Sequence, residues 1–381
     1  MKILHLMLAN FYADGFGYQE NLLSRQNAKD GHAVKIIAST QSISEAGGII
    51  YVNPSSYINE DGIEVTRIPY RKILPHYVMT KVRSYVGLYE EIVKFRPDVI
   101  LHHGVSSFDL LTVARYKANY PHVRLYVDSH EMFHNSARKI LSREILHRRF
   151  YAPVLRRVLP YIEKILCVTT ESMDFLETLY KIPRDKMELY PLGGVVFEEK
   201  ERLNNRRIIR QGLDLTDDDI LMIHSGKMNE KKRTVDLIKA FSNVDGTDAR
   251  LLLIGSLSDD VRCLIEPVLK TDHRVQFLGW KDRDELLKHL CAADLYVQPG
   301  TQSAIMQQAL CCGAAAMLYP YKSHKNLLGE TVFYAASVDD MKAILKKILI
   351  DPMILETKRR QSFKLAKEKL DYRVLASRLY L

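Results

Sequence analysis

The chain has 381 residues, about half of them apolar, and a net charge of +9. That length exceeds one ordinary α/β layer and suits two domains, each able to bury its own core. No stretch reaches the ~20 uninterrupted apolar residues of a spanning helix, and MKILHLMLANF is too short for the apolar region of an export signal, so a soluble cytoplasmic protein is expected.

In chain order, apolar periodicity predicts strand 2–9, helix 16–30, strand 33–38, strand 63–68, helix 82–94, strand 97–101, helix 106–118 and strand 123–127. This alternation is that of a doubly wound parallel sheet, in which ligands bind beyond the carboxyl ends of the strands. Gly31 stands where the first helix needs a left-handed cap, and Gly15 and Gly17 stand where the chain must turn sharply from strand into helix. LYVDSHEMF then crowds Asp128, Ser129, His130 and Glu131 at one strand end, which suits chemistry as readily as a satisfied structural histidine. His102 and His103, at the end of the neighbouring strand, are secondary candidates.

Residues 138–157, RKILSREILHRRFYAPVLRR, hold seven Lys or Arg against one Glu. A solvated helical face is the simpler account, and an amphipathic helix meeting anionic lipid is the functional one. No nucleic-acid-binding motif accompanies the charge, so no nucleic-acid partner is expected. KILCVTT, a helix over 171–180 and MELYP complete a first domain of residues 1–197, and the polar EEKERLNNRRIIRQG of 198–212 reads as a linker. A second domain, 213–352, repeats the rhythm through DILMIHSG, RLLLIG, RVQFLGW and LYVQPG, and a long basic helix occupies 353–381. The five cysteines, an odd number without CxxC spacing, read as reduced core residues.

Two features of the second domain suit phosphate chemistry. Lys227 and Lys232 flank a short loop after LMIHSG, and paired cations beside a helix start offset the charge of a diphosphate. By itself KMNEKKR suits a solvated charged loop equally well. The turn Gly300-Thr301-Gln302-Ser303 links LYVQP to AIMQQALCCG; its N–H groups and hydroxyls would leave the same sheet edge as the lysines and cradle an anion, whereas a plain N-cap explains only the hydroxyls. Gln307 and Gln308 on the following helix suit sugar hydroxyls or an exposed face. HExxH, GxSxG and a full Walker motif are absent and no acidic spacing suits a metal, so neither metal nor resident cofactor is expected.

The glycine loop GFG before YQENLLSRQNAKDGH, the strand-end DSHE, the block HSGKMNEKKRTVDLIKAF, and FLGW with DELLKHLCAADLYVQPG and ALCCG together resemble the retaining, nucleotide-sugar-dependent family-4 glycosyltransferases over nearly the whole chain. The resemblance implies an α/β GT-B fold of two facing Rossmann-like doubly wound domains with a C-terminal helix, the first on the acceptor side and the second binding the nucleotide sugar. It implies that Lys227 and Lys232 hold the donor diphosphate, that His130 lies by the donor sugar, and that Gly15 and Gly17 let the first loop approach it. The resemblance also implies that Trp280 and Lys281, after FLG, stand in the place of the main-chain segment that usually contacts the base. The family's two glutamates are missing: Gln308 aligns with the one that holds the ribose, and Gly300, Thr301, Gln302 and Ser303 lie where the other falls, without a carboxylate. Gln accepts and donates but loses charge-assisted bonds. The implied activity is retaining hexosyl transfer from a nucleotide diphosphate donor, with UDP the expected nucleotide, to a hydroxyl of a sugar or lipid-linked acceptor in bacterial-type polysaccharide or glycolipid assembly. Acceptor contacts would come from loops 41–60 and 70–81, and helix 138–157 would touch the inner membrane surface. Two alternatives remain: a catalytically silent GT-B scaffold that partners an active transferase, and a sugar-nucleotide epimerase.

Overall fold

The computed structural model describes residues 1–44, 48–244 and 249–381, so part of the predicted acceptor loop 41–60 lies outside the described residues. The chain divides into two units, Met1–Pro191 with Leu375–Leu381, and Leu192–Val374.

The strands of the first unit are β1 (Lys2–Met7), β2 (Ala33–Ser39), β3 (Gln41–Ile43), β4 (Ile49–Tyr51), β5 (Ser55–Ile58), β6 (Glu64–Ile68), β7 (Val99–His102), β8 (Arg124–Ser129), β9 (Lys164–Cys167) and β10 (Met187–Leu189). Eight of them form one sheet in the order β10-β9-β8-β7-β1-β2-β6-β5, parallel except for β5. Strands β3 and β4 pair as a separate antiparallel hairpin. The strand order reverses between β1 and β7, so the crevice beyond their carboxyl ends is a topological switch point. Neighbouring residues of β2 join different clusters, Ile37 one core and Ile36 and Ala38 another, because both faces of a parallel sheet are covered. Lys35 lies buried among them because Glu64 and Glu91 each take its ammonium at 2.9 Å.

The predicted helix 82–94 is two helices, His76–Val82 and Leu88–Phe95, separated at the left-handed Arg83 and Gly87. The basic segment is helical, wound wide over Ser142–Tyr151 and continuing as Ala152–Val158. Four cysteines are buried and free, but Cys263 is exposed on the helix Asp259–Thr271, outside any core.

The second unit contains β11 (Ile220–Met228), β12 (Ala249–Leu257), β13 (Val275–Gly279), β14 (Leu295–Gln298), β15 (Ala315–Leu318) and β16 (Phe333–Tyr334). Their order is β13-β12-β11-β14-β15-β16, all parallel, with a switch point between β11 and β14. Gly226 pairs with Gly255 near the carboxyl ends of the two central strands, and a Cβ on Gly255 would lie 2.0 Å from the Gly226 carbonyl oxygen. Only glycine lets these backbones approach so closely.

Residues 198–212 are not a linker but the helix Glu199–Gly212. Its polarity misleads because two of its arginines are spent inside the unit. Arg206 and Arg210 donate to the two carboxylate oxygens of buried Asp294 at 2.7 and 2.9 Å, and that carboxylate also accepts the Leu221 N–H at 2.8 Å. The single helix expected over 353–381 is broken into Pro352–Lys369 and Tyr372–Ser377. Its last residues return to the first unit, where the Tyr190 hydroxyl donates to the Leu375 carbonyl at 2.6 Å and Arg124 donates to the Tyr380 carbonyl at 2.9 Å.

Candidate functional site

In the second unit Lys227 sits near the end of β11, Lys232 in the tight turn Glu230–Lys232, and Gly300 and Thr301 just beyond β14. The two features read separately from the sequence meet at the switch point. Thr301 N–H donates to the Lys231 carbonyl at 3.0 Å, and Lys232 Nζ donates to the Thr301 carbonyl at 3.1 Å. A Cβ on Gly300 would fall 2.2 Å from the Lys231 oxygen, so this contact requires glycine. Burial lowers the pKa of Lys232, while Lys227 is exposed. With one carbonyl partner, the Lys232 ammonium keeps two N–H donors for a ligand.

His224, which the sequence reading passed over, supports this loop from within the sheet. Its Nδ1 meets the Val297 carbonyl at 2.8 Å and its Nε2 meets Thr234 Oγ1 at 2.9 Å. A carbonyl only accepts, so Nδ1 carries the proton and Nε2 accepts from the hydroxyl. Burial pushes the ring's pKa down to about 4 and keeps it neutral. Arg233, left-handed at φ +56°, donates to the carbonyls of Pro299 at 3.3 Å and Ala336 at 2.8 Å, tying the loop to the neighbouring strand ends. The available signal was a histidine inside an otherwise apolar strand.

The contact with Lys231 corrects the expected anion cradle. The Thr301 N–H is used internally, Gln302 Nε2 donates to Ser323 Oγ at 2.7 Å, and Ser303 Oγ accepts the Ile305 N–H at 3.4 Å as a loose helix cap. The turn braces the loop that carries Lys231 and Lys232. Gln308 is also committed: its Oε1 accepts the Val195 N–H at 2.9 Å and its Nε2 donates to the Val195 carbonyl at 3.0 Å. That pair needs an amide, because a carboxylate has no donor; Nε2 also lies 3.4 Å from Cys312 Sγ, so while these contacts persist the side chain keeps only a spare Oε1 lone pair for a ribose hydroxyl. Gln307 is buried, with its Oε1 accepting the Gly193 N–H at 2.8 Å. After β13, Trp280 is 68% exposed and presents a bare indole, and Lys281 is half-buried.

In the first unit Gly15 takes φ +75° and donates its N–H to Glu60 at 2.6 Å; Gly17 has no positive φ, so one glycine supplies the turn. Beyond β7 and β8, Asp128 is a buried hub. One oxygen accepts the Gly104 N–H at 2.7 Å and lies 3.8 Å from His130 Nε2, and the other meets His103 Nδ1 at 2.5 Å. Behind it, His103 Nε2 meets His5 Nδ1 at 3.0 Å, and His5 Nε2 meets Asn27 Oδ1 at 2.9 Å. A line of polar side chains thus runs from the interior to His130.

Burial opposes the charge on Asp128, but the adjacent histidines outweigh it and hold the carboxyl well below the usual range. Burial likewise opposes an imidazolium at His130, yet the Asp128 carboxylate prevails and pushes its pKa up to about 9. Burial and the neighbouring His103 push His5 down to about 3. His102, with Nδ1 2.9 Å from the Gly104 carbonyl, is pushed by burial to about 4. At neutral pH, therefore, His130 is charged while His5 and His102 are neutral. The His130 side chain is partly exposed as a whole, while its Nε2, on the Asp128 side, is buried and makes no hydrogen bond.

Two doubly wound units, one with a cationic loop at its switch point and the other with a charged histidine at its strand ends, define the GT-B class. Residues 21–193 match Glycosyltransferase Family 4 and residues 205–369 match Glycosyl transferases group 1, and the chain belongs to these glycosyltransferases. No curated protein matches it. Among solved structures, sucrose-phosphate synthase from Thermosynechococcus elongatus is 14% identical with a TM-score of 0.66, covering 99% of this chain and 96% of that one. HepE from Anabaena in complex with UDP is 14% identical with a TM-score of 0.65, covering 99% and 98%. WaaG, a glycosyltransferase involved in lipopolysaccharide biosynthesis, is 14% identical with a TM-score of 0.61, covering 99% of each chain. At these identities the likeness concerns the fold.

Proposed function

We propose that the protein transfers a hexose from a nucleotide diphosphate donor, a UDP-sugar, to an acceptor hydroxyl with retention at the anomeric carbon. The observation that carries this reading is Lys232, a partly buried ammonium held by the Thr301 carbonyl at a switch point, with donors to spare. Lys227 and Lys232 offset the negative charge that grows on the departing diphosphate, an interaction stronger in the transition state than in the ground state. The indole of Trp280 offers a stacking face to the base. The imidazolium of His130 supplies positive charge toward the transferred sugar. That HepE was solved with UDP-glucose supports the choice of donor.

Steady-state turnover with UDP-sugars tests the assignment. Lys232→Ala is expected to lower kcat/KM about 10²–10³-fold, as loss of a single charge-stabilising donor does, with little change in Tm. Undiminished activity in that variant would sink the reading. The commitment of Gln308 to Val195 favours one competing account, a silent scaffold; calorimetric binding of UDP without turnover on any donor or acceptor would support it.

We also propose that the acceptor is met at an anionic membrane surface. Among the described residues no helix is long and apolar enough to cross a membrane. However, Ile140, Leu141 and Ile145 are exposed on the basic segment, and Ile73, Leu74 and Tyr77 are exposed in the same unit. Apolar side chains ringed by arginines and lysines suit insertion among anionic head groups.

A further inference from the structure

The first unit holds a cavity of about 320 Å³, lined by Lys81, Arg83, Glu131, Arg138, Lys139 and Ser142 among others. Four cations meet one carboxylate, and that carboxylate is already occupied. Glu131 accepts from Ser106 Oγ at 3.0 Å, Ser129 Oγ at 2.8 Å and the His130 N–H at 3.2 Å. The next acidic group along, Glu144, is taken by Arg143 at 3.2 Å and Arg148 at 2.6 Å. Among the described residues, none of the four lining cations has an acidic side chain at ion-pair distance.

Arg83 is held in place for the task. Its backbone is left-handed, φ 57° and ψ 61°, a conformation strained for any residue with a Cβ. Its Nη1 donates to the Ser106 carbonyl at 2.5 Å, and its guanidinium lies over the Tyr151 ring, 5.8 Å from the centroid. The Tyr151 hydroxyl in turn donates to the Lys81 carbonyl. One guanidinium donor is spent on a carbonyl and the others remain, in a planar fork suited to phosphate oxygens. The helical segment that starts at Ile140 brings the positive end of its dipole to the same wall.

We propose that this cavity binds a phosphate group carried by the acceptor, beside the loop that bears His130. The word acceptor rests on the transfer reading above; the anion site does not. The chemistry is common to a soluble phosphomonoester and to the phosphate of a lipid head group. Calorimetric titration with glycerol 3-phosphate, with UDP present to fill the lysine loop, is expected to show saturable binding that weakens at least tenfold in Arg83→Gln. Lys139→Gln, at an exposed position that does not disturb the core, is expected to weaken it several-fold. The same titration in Lys232→Ala without UDP reads the cavity independently of the donor, so the failure of one reading is told apart from the failure of the other. Competition by phosphatidic acid vesicles for the Arg83-dependent binding assigns a lipid source and its absence a soluble one, and either result supports the site. No binding by the wild type, or unchanged binding in both variants, overturns it.

Discussion

His130 owes its charge to a residue two positions earlier in the chain, and that proximity explains why the sequence could single it out. Asp128 and His130 follow one another along a strand end, so DSHE shows them together. The rest of the line does not appear that way. His103 lies 25 residues from Asp128 and 98 from His5, and only the pairing of β7 with both β1 and β8 brings them side by side. The raised pKa carries a sign. Stabilisation from the His130–Asp128 interaction is fully present below the unfolded value of 6.5 and is lost as pH rises through about 9. An activity that needs the imidazolium should therefore fall along an alkaline limb near pH 9. A pH profile of kcat/KM measures this, with His130→Gln expected to lack the limb; a wild-type rate that stays flat from pH 7 to 10 removes His130 from the charged role.

Among the elements, the helix Glu199–Gly212 shows how composition misleads. A run of charges signals solvent when each charge is taken alone, but Arg206 and Arg210 reach one carboxylate 84 and more residues away. Removing one partner of a buried ion pair leaves the others uncompensated, which costs about 3–5 kcal/mol. Asp294→Ala removes the carboxylate shared by Arg206, Arg210 and Arg359 and the acceptor of the Leu221 N–H, so that loss is expected in chemical denaturation of the second unit. A change below about 1 kcal/mol would show that the arginines find water instead. The Gly300 turn teaches the complementary lesson. Its placement beside the lysines was legible, because strands that precede helices end on one edge of a parallel sheet. Its role was not, because the 2.2 Å approach of a notional Cβ to Lys231 depends on packing between two loops.

For the molecule as a whole, most of the excess basic charge is concentrated in residues 138–157, and the proposed contact with an anionic membrane rests on it. Sedimentation with vesicles rich in anionic lipid is expected to recover the protein at low salt and release it at high salt, as screening shortens the reach of the cations. Ile140→Ser with Leu141→Ser should weaken that recovery several-fold, and sedimentation indifferent to salt and to these changes would return the helix to a solvated face. Much of the architecture was written in local pattern: period-two and period-3.6 alternation depends on neighbours along the chain, so two largely parallel sheets, and the positions of Lys227, Lys232 and His130 at or just beyond their strand ends, followed from sequence. What tertiary structure alone decided were the relations between distant residues. Those relations are the histidine line behind Asp128, the commitment of Gln308 to Val195, the return of residues 375–381 to the first unit and the seating of the Arg83 guanidinium on the Ser106 carbonyl. Burial and hydrogen-bond partners belong to pairs of positions, and no single stretch of sequence contains both members.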